Sequence, residues 1–442
     1  MPCSPARVCP RQRERLCWQN AVNDKVVALP DRWSGWLLIV FAFTAWNWTG
    51  FANFALLLLT LRCIREWRAN QWSLPSIPGL WLLLLVFSVT TVLALRTSWQ
   101  FPATTGAQLA AIWRWDAPFL FIIIAWRLRV FPQLIPQLLL AALLGLTLGV
   151  LRKFDVAQFS AIVHGQRYDS GTAVLGLSFL ASIALLGLFW YREQLLALTR
   201  WRRINQLIWG LLTLIFIAFL LIAQARGATL GLVIVGLSLM LTKMRSHSIA
   251  AWRRPILLLV LLTTSLLWLS RERITNDWNA LELTIASIPV SYETSLGARL
   301  NLYRVGFIAF TAHPLIGWGP GSSTTKMLVP MHLLPLPIAD MEQAPAFAHL
   351  HSIPLELLVR FGAIGVIIAL LLSLLLLRAW LHLHASDSQL STFLIACIIL
   401  TCWFGVYDFR LLNLDLRFFL ILFLGIIYSF HSRQRDEHCH FN

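Results

Sequence analysis

Long apolar runs recur along the whole chain and constrain its fold more than any other feature of the sequence. The longer runs approach or reach the roughly 20 residues that a helix needs to cross a bilayer. These runs are 80–95, 134–151, 172–190, 208–223, 255–270, 363–377 and 416–428. Shorter or interrupted runs, which would span once their flanks are included, are 33–46, 50–61, 116–126, 227–242 and 390–406. The pattern predicts an all-α, polytopic membrane protein with about twelve transmembrane helices.

The charged residues support this class and give the predicted orientation. Only 13% of the residues are charged, whereas soluble domains average roughly 25%. With a cytoplasmic N-terminus and twelve helices, most of the 36 Lys and Arg residues fall in cytoplasmic segments. This is the positive-inside pattern, so the net charge of +16 reflects topology and calls for no nucleic acid partner.

The predicted helices also define the domain organisation. Residues 1–32 are polar and lack the apolar core of a signal peptide, so we expect a cytoplasmic N-terminal segment. Residues 33–442 are expected to form a single transmembrane catalytic domain, including a large periplasmic loop, 271–348, between helices nine and ten. That loop contains no cysteine, so no disulfide framework is expected. The chain has no CxxC or spaced His/Cys set, and no metal site is predicted.

The loop and the helix after it carry the most polar motifs in the chain. They are GARLNLY (297–303), HPLIGWGPG (313–321) and HLHSIPLELLVRFGAIG (349–365). Histidine, arginine and glycine at the mouth of membrane helices indicate a binding site. We therefore expect an active site in this region, facing away from the cytoplasm.

His351 is the candidate general base of this site. At about 100° per residue, Leu355, Gly362 and Gly365 fall within about 40° of His351, which predicts one continuous helical seam. Two glycines on the seam would let a neighbouring helix approach closely. Histidine titrates near neutral pH, which suits proton removal from a hydroxyl. The alternative is an interfacial histidine that only bonds a loop carbonyl.

Three arginines on the predicted outer face are candidate anion ligands. Arg226 lies in the tight turn between helices seven and eight, and Arg299 and Arg304 lie in the large loop. A planar guanidinium forms paired hydrogen bonds with phosphate. The alternatives are snorkelling to lipid headgroups for Arg226 and an ordinary solvated charge, favoured most for Arg304.

Glycines and charge pairs complete the candidate region. Alternating glycines in GWGPG predict a sharp turn whose backbone amides approach a ligand, although the spacing is not that of a phosphate-binding Walker loop. Glu356 and Arg360 are four residues apart and are expected to pair within a helix. Asp408 and Arg410 are expected to pair rather than to bind sugar.

Together these motifs resemble the bacterial O-antigen ligase family. The resemblance rests on SLGARLNLYRVGFIAFTAHPLIGWGPG (295–321), on the pattern HSxxLxxxxxxG that begins at His351, and on QARGATLGL (224–232). It implies a membrane glycosyltransferase fold similar to the GT-C type. The implied reaction is a metal-independent, inverting transfer, without a cofactor, on the periplasmic face of the inner membrane. The donor would be a glycan on undecaprenyl diphosphate, and the acceptor a sugar hydroxyl of lipid A–core.

The resemblance also implies roles for individual residues. His351 matches the histidine that activates the acceptor hydroxyl, and Arg226 and Arg299 match arginines that bind the diphosphate. His349 leaves open which imidazole acts, and Ser352 stands where the family often has asparagine. Further substrate contacts are expected from Arg304, Gly319, Gly321, His349 and Ser352.

Two other functions remain open from the sequence. The same superfamily includes O-antigen polymerases, which extend the glycan on its lipid carrier. A non-enzymatic transporter of lipid-linked glycan is the alternative from a different class, although no inverted repeat is visible. In each case the expected partners are the lipid-linked glycan and the surrounding membrane lipids.

Overall fold

A computed structural model of the chain shows helices and no strands among the residues that it describes. The described residues are 32–69, 80–153, 174–223, 225–244, 295–321 and 349–439, with scattered helical positions between 257 and 282. The prediction of an all-α chain is confirmed for these segments.

Apolar helices follow one another along the chain, most of them joined by short connections. The first are α1 (Arg32–Thr44), α2 (Thr49–Ala69), α3 (Leu80–Gln100), α4 (Thr105–Asp116), α5 (Phe121–Val130), α6 (Ile135–Lys153) and α7 (Val174–Trp190). Then come α8 (Arg192–Leu196), α9 (Arg202–Ala223), α10 (Arg226–Met244), α11 (Ser295–Ala312), α12 (Ile353–Ser386), α13 (Ser388–Tyr407) and α14 (Leu414–Cys439). Each predicted apolar run other than 255–270 overlaps one of these helices, and that run falls mostly outside the described residues.

Six helical stretches within the described residues are long and apolar enough to cross a membrane. They are α3, the stretch from α4 to the end of α5, α6, α9, α12 and α13. Shorter apolar helices lie at α1, α7, α10 and the second half of α11. The chain is therefore a polytopic membrane protein, while the total of about twelve spans stays a prediction.

Helix α9 shows how the apolar surface is divided between core and lipid. Leu207, Leu211 and Leu214 are 73%, 59% and 63% exposed and follow one another at helical spacing. Phe216 and Leu220 on the same helix are fully buried. A row of exposed leucines would be costly in water but is the ordinary outer surface of a membrane helix.

One end of the bundle collects the helix ends that carry the sequence motifs. The start of α10, the start of α12 and the end of α13 meet there, with residues 313–321 packed beside α12. We call this the site end. At the opposite end, Trp190 at the close of α7 donates a hydrogen bond to Gln389 O at the start of α13 (2.9 Å). Which side of the membrane the site end faces stays a prediction.

The predicted domain division meets the described residues only in part. Residues 1–31 lie outside them, so the cytoplasmic segment 1–32 stays a prediction. The predicted loop 271–348 is described at α11, at residues 313–321 and at a few positions before 283.

Candidate active site

Helix α12 is interrupted at Gly362. Gly362 has φ 62° and ψ −153°, backbone angles that are far from helical and that favour glycine. The next amide, Ala363 N–H, donates to Pro314 O at 2.8 Å instead of bonding within the helix. A Cβ on Gly362 would lie 2.4 Å from the carbonyl carbon of Leu315. The break therefore makes room for a second segment of chain.

The predicted helical seam from His351 to Gly365 is wrong. His351 lies before α12, which begins at Ile353, and it has a left-handed φ of 49°. Gly362 then interrupts the helix between Leu355 and Gly365. Helical periodicity cannot place these residues on one face, because the backbone is not continuously helical between them.

Residues 313–321, which we call the glycine strap, lie against the break in α12. Two of the strap glycines have positive φ values, 63° and 96°, as the predicted sharp turn requires. The amides of Trp318 and Gly319 donate to Val359 O and Arg360 O, both at 2.9 Å. The strap thus bonds carbonyl groups that a continuous helix would have satisfied internally.

The strap also contacts α4. Gln108 is fully buried, and its Oε1 accepts the amide N–H of Gly321 at 2.7 Å. Trp115 Nε1 donates to Pro320 O at 3.1 Å. Because the amides of Gly319 and Gly321 both have protein acceptors, the expectation that strap amides face a ligand is not met for these two. Contact of either glycine with a substrate stays a prediction.

A buried ion pair joins the strap to the turn before α12. Glu356 and Arg360 are 0% and 2% exposed, and they pair side by side as their spacing predicts. Glu356 Oε1 also accepts the amide N–H of Leu350 at 2.7 Å. Arg360 donates to the carbonyl oxygens of Pro320, at 2.8 Å, and of Gly321. The predicted pairing is confirmed, and each charge also holds a neighbouring backbone segment in place.

His351 faces a buried carboxylate at the end of α13. Its Nδ1 lies 3.3 Å from Oδ1 of Asp408, which is fully buried. Asp408 also accepts the amide N–H of Phe409 (2.9 Å) and Nε–H of Arg410 (2.8 Å), so its predicted pairing with Arg410 is confirmed. Burial alone would raise the pKa of Asp408, but the hydrogen bonds from His351 and Arg410 hold it well below its usual range. The ionised carboxylate favours the tautomer of His351 with hydrogen on Nδ1.

His349 packs beside His351, with ring centroids 4.1 Å apart. Its Nδ1 accepts the backbone N–H of His351 at 3.3 Å. Burial, followed by the neighbouring His351, lowers the pKa of His349 to about 4, against the opposing charges of Asp408 and Glu356. His349 is therefore neutral at pH 7. The contact with Asp408 distinguishes His351 from His349, the two imidazoles between which the sequence could not decide.

Three of these groups also have the composition of a metal-ligand set. Donor atoms of His349, His351 and Asp408 lie within 4.8 Å of one another. Two imidazoles and a carboxylate suit a divalent transition metal. The expected absence of a metal therefore stays a prediction, which chelation can test.

The start of α10 brings Arg226 to the site end. Arg226 is the first residue of α10, and Trp403 of α13 donates from Nε1 to the O atom of the next residue, Gly227, at 3.0 Å. The ring of Tyr407 packs so closely on Gly227 that a Cβ there would lie 2.4 Å from Tyr407 Cζ. Helix α10 therefore begins where α13 ends, beside Asp408.

Arg299 reaches the same region from α11. Its charge acts on the hydroxyl groups of Tyr303 and Tyr407. Burial raises the pKa of Tyr303, with Arg299 opposing the rise and Asp408 adding to it. The Tyr303 hydroxyl lies within hydrogen-bond distance of His351 O (3.4 Å) and of a carbonyl at the end of α13 (3.3 Å). The segments that carry Arg226, Arg299 and His351 thus approach one another around the end of α13, and the convergence of their side chains on one substrate stays a prediction.

Arg304 and Ser352 are placed differently. Arg304 is exposed, and five residues of α11 put it about 140° around the helix from Arg299. Ser352 is buried directly before α12, where its carbonyl accepts the amide N–H of Glu356 at 2.9 Å. Among the described residues, its side chain caps no helix amide. Substrate contacts by both residues stay predictions.

Asp408, Tyr303 and Tyr407 lie at the candidate site, although the sequence motifs indicate no catalytic role for any of them. A carboxylate directly after the apolar run 390–406 could have marked Asp408, since a charge at the end of a membrane helix is costly unless it is used. Its expected pairing with Arg410 is confirmed. Nothing in the spacing indicates that His351 lies on the other side of the carboxylate.

A half-buried histidine and a fully buried carboxylate are therefore paired at one end of a membrane helix bundle, next to the first residues of α10. Residues 211–370 match the family model described as O-antigen ligase. The predicted resemblance to this family is confirmed over the matched residues. The matched segment contains Arg226, Arg299, His351 and the glycine strap, and it ends before Asp408. None of the curated proteins compared with the chain matches it.

Proposed function

We propose that this protein is an O-antigen ligase that transfers a glycan from undecaprenyl diphosphate to a sugar hydroxyl of lipid A–core. The observation that carries the proposal is the His351–Asp408 pair at the end of α13, where α10 begins at Arg226 and where the charge of Arg299 acts. The transfer needs a base for the acceptor and positive charge for the leaving group. Both are present at one end of the bundle.

Arg226 and Arg299 serve the donor. A diphosphate spreads negative charge over several oxygen atoms, and the guanidinium fork matches two of them at once. Helix α10 begins at Arg226, so the positive end of its dipole adds to the same field. As the bond to the sugar breaks, charge grows on the diphosphate, and preorganised arginines stabilise it by several kcal/mol.

His351 and Asp408 serve the acceptor. His351 Nε2 takes the proton of the acceptor hydroxyl while that oxygen attacks the anomeric carbon of the donor sugar. The bond from that carbon to the diphosphate oxygen breaks, and its electron pair leaves with the diphosphate. Attack from the opposite side inverts the anomeric centre, as the family resemblance implies. Asp408 holds the Nδ1 hydrogen and stabilises the imidazolium, and such base catalysis is worth roughly 10²–10⁴-fold.

We infer that the site end faces the periplasm and that the membrane is the bacterial inner membrane. Arg127 at the end of α5 pairs with Glu66 near the end of α2 (2.5 Å), so both helices end on the same side. Basic residues concentrate at these helix ends, which the alternating topology puts opposite the site end. They are Arg62, Arg65 and Arg68 on α2 and Arg127 and Arg129 on α5. Clusters of this kind mark the cytoplasmic side.

The direct test is transfer by the purified protein in liposomes, with lipid-linked O-antigen as donor, lipid A–core as acceptor and no nucleotide. We expect transfer by the wild type and at least a 10²-fold lower rate for His351→Ala. His384→Ala is the matched control, because His384 lies at the far end of α12 and bonds Ser391 (2.7 Å). No transfer by the wild type, or a normal rate for His351→Ala, would refute the proposal.

Lipopolysaccharide from a deletion strain distinguishes the ligase from a polymerase of the same superfamily. Loss of all long chains, with polymer accumulating on the lipid carrier, supports the ligase. Lipopolysaccharide that carries a single repeat would indicate a polymerase. Lipid-linked glycan that crosses liposomes without glycosyl transfer would instead indicate a transporter.

A further inference from the structure

Tyr407 has a buried hydroxyl in the middle of the candidate site. Its Oη is shielded from solvent and has no hydrogen-bond partner among the described residues. Buried hydroxyls are nearly always hydrogen-bonded, because an unpaired one forfeits the bonds it made to water. An orphan hydroxyl between candidate catalytic groups indicates a contact with substrate.

The position of this hydroxyl is fixed from two sides. The Tyr407 ring packs edge-on against Phe404, with centroids 5.3 Å apart, and a Cβ on Gly227 would lie 2.7 Å from the hydroxyl oxygen. In α10, Thr229 N–H donates to Ala225 O at 3.0 Å. The backbone amides of residues 226–228 therefore belong to the first turn, before the hydrogen bonds within the helix begin. The hydroxyl therefore lies at the positive end of the α10 dipole.

Two charged groups of opposite sign act on this hydroxyl, the Asp408 carboxylate more strongly than the Arg299 guanidinium. Asp408 is bonded instead to His351 and Arg410 and makes no hydrogen bond to Tyr407. The hydroxyl therefore lies within the field of Arg299 and at the N-terminus of α10, whose first residue is Arg226.

We propose that the Tyr407 hydroxyl donates a hydrogen bond to a diphosphate oxygen of the lipid-linked donor. The inference rests on the proposed function and adds a neutral donor to Arg226 and Arg299. Diphosphate oxygens accept hydrogen bonds without donating any, so a hydroxyl donor complements them. The bond strengthens as charge develops on the leaving group, so it lowers the barrier as well as aiding binding.

The test compares two tyrosines that are matched in structure but lie at opposite ends of the bundle. Tyr407→Phe removes the hydroxyl and leaves the ring against Gly227. Tyr191→Phe is the control, because the Tyr191 hydroxyl is also buried without a partner among the described residues but follows α7 at the far end. The measurements are kcat and KM for donor and acceptor, the Kd of undecaprenyl diphosphate alone, and Tm.

We expect Tyr407→Phe to lower kcat/KM for the donor by about 10- to 100-fold, the range for one hydrogen bond to a charged group. The Kd of undecaprenyl diphosphate should rise severalfold, while KM for the acceptor and Tm should not worsen. Tyr191→Phe should match the wild type. Unchanged donor kinetics and Kd would overturn the proposal. So would a change confined to the acceptor KM, or a lower Tm that reveals a protein partner for the hydroxyl.

Gly227→Ala provides a second variant, since its methyl group would displace the Tyr407 ring. It should reproduce the donor defect, and combining it with Tyr407→Phe should add little. Failure of this inference can be told apart from failure of the proposed function. A wild type that transfers no glycan, but binds undecaprenyl diphosphate more tightly than Tyr407→Phe, refutes only the function. Equal transfer by both refutes only the role of Tyr407.

Discussion

Asp408→Asn removes one charge from the candidate site with little change in shape. The fully buried carboxylate holds Nδ1 of His351 at 3.3 Å and Nε of Arg410 at 2.8 Å. Asparagine can keep one of these contacts through its oxygen. It cannot supply the negative charge that faces the imidazolium formed when His351 takes the acceptor proton.

The size of the effect follows from the distance between the two groups. Unit charges 3.3 Å apart attract by about 5 kcal/mol at an effective dielectric constant of about 20. Arg410 on the other carboxylate oxygen neutralises part of that charge, which reduces the loss to about 3 kcal/mol, or roughly 10²-fold in kcat. If the asparagine amide turns toward His351, it selects the wrong imidazole tautomer and deepens the loss toward roughly 10⁴-fold.

The assay is single-turnover transfer with saturating donor, which reports the chemical step. Asp387→Asn is the matched control: Asp387 caps the other end of α13 by accepting Leu390 N–H at 2.9 Å, and asparagine fills a helix cap equally well. We expect full activity for the control and a fall of at least 10²-fold for Asp408→Asn. A rate for Asp408→Asn within twofold of the wild type would refute the reasoning that Asp408 acts on His351.

Three further predictions concern pH, folding and metal ions. The pKa of His349 is lowered to about 4 in the folded state, whereas an unfolded histidine has a pKa of about 6.5. The unfolded state therefore binds the proton first, so the free energy of unfolding is highest above about pH 6.5 and falls as the pH drops toward 4. Between pH 7 and pH 5, Tm should therefore fall less for His349→Asn than for the wild type, and equal falls would contradict this. Gly362→Ala should lower the free energy of unfolding by about 3 kcal/mol or more, since φ is positive at this position and a Cβ would meet the strap. Gly210→Ala is the control and should leave Tm unchanged, because the space around Gly210 is open. Equal Tm values for the two variants would exclude the strap packing. EDTA should leave the transfer rate unchanged, and a loss that a divalent ion restores would identify His349, His351 and Asp408 as a metal site.

The sequence predicts the helices of this protein well because membrane helices are specified by a local property. A run such as 208–223 needs only enough apolar residues to span lipid, and α9 indeed covers it. The leucines that face outward and the phenylalanines that face inward on α9 are all apolar, so the helix shows no alternation of polar and apolar residues. The same lack of contrast explains why the sequence does not reveal which side of α9 packs on its neighbours.

The break in α12 could not be predicted because its cause lies far along the chain. Glycine at 362 is compatible with a continuous membrane helix, and the predicted seam assumed one. The left-handed angle is stabilised by hydrogen bonds to the strap, whose residues precede Gly362 by more than forty positions. A similar argument applies to Asp408, since its partner His351 lies 57 residues away.

A cryo-EM structure of the protein with bound undecaprenyl-diphosphate-linked glycan would test the convergent site most directly. We expect the diphosphate within hydrogen-bond distance of Arg226, Arg299 and the Tyr407 hydroxyl, with the His351 ring facing the anomeric carbon. A diphosphate bound at the opposite end of the bundle, or away from both arginines, would contradict this account.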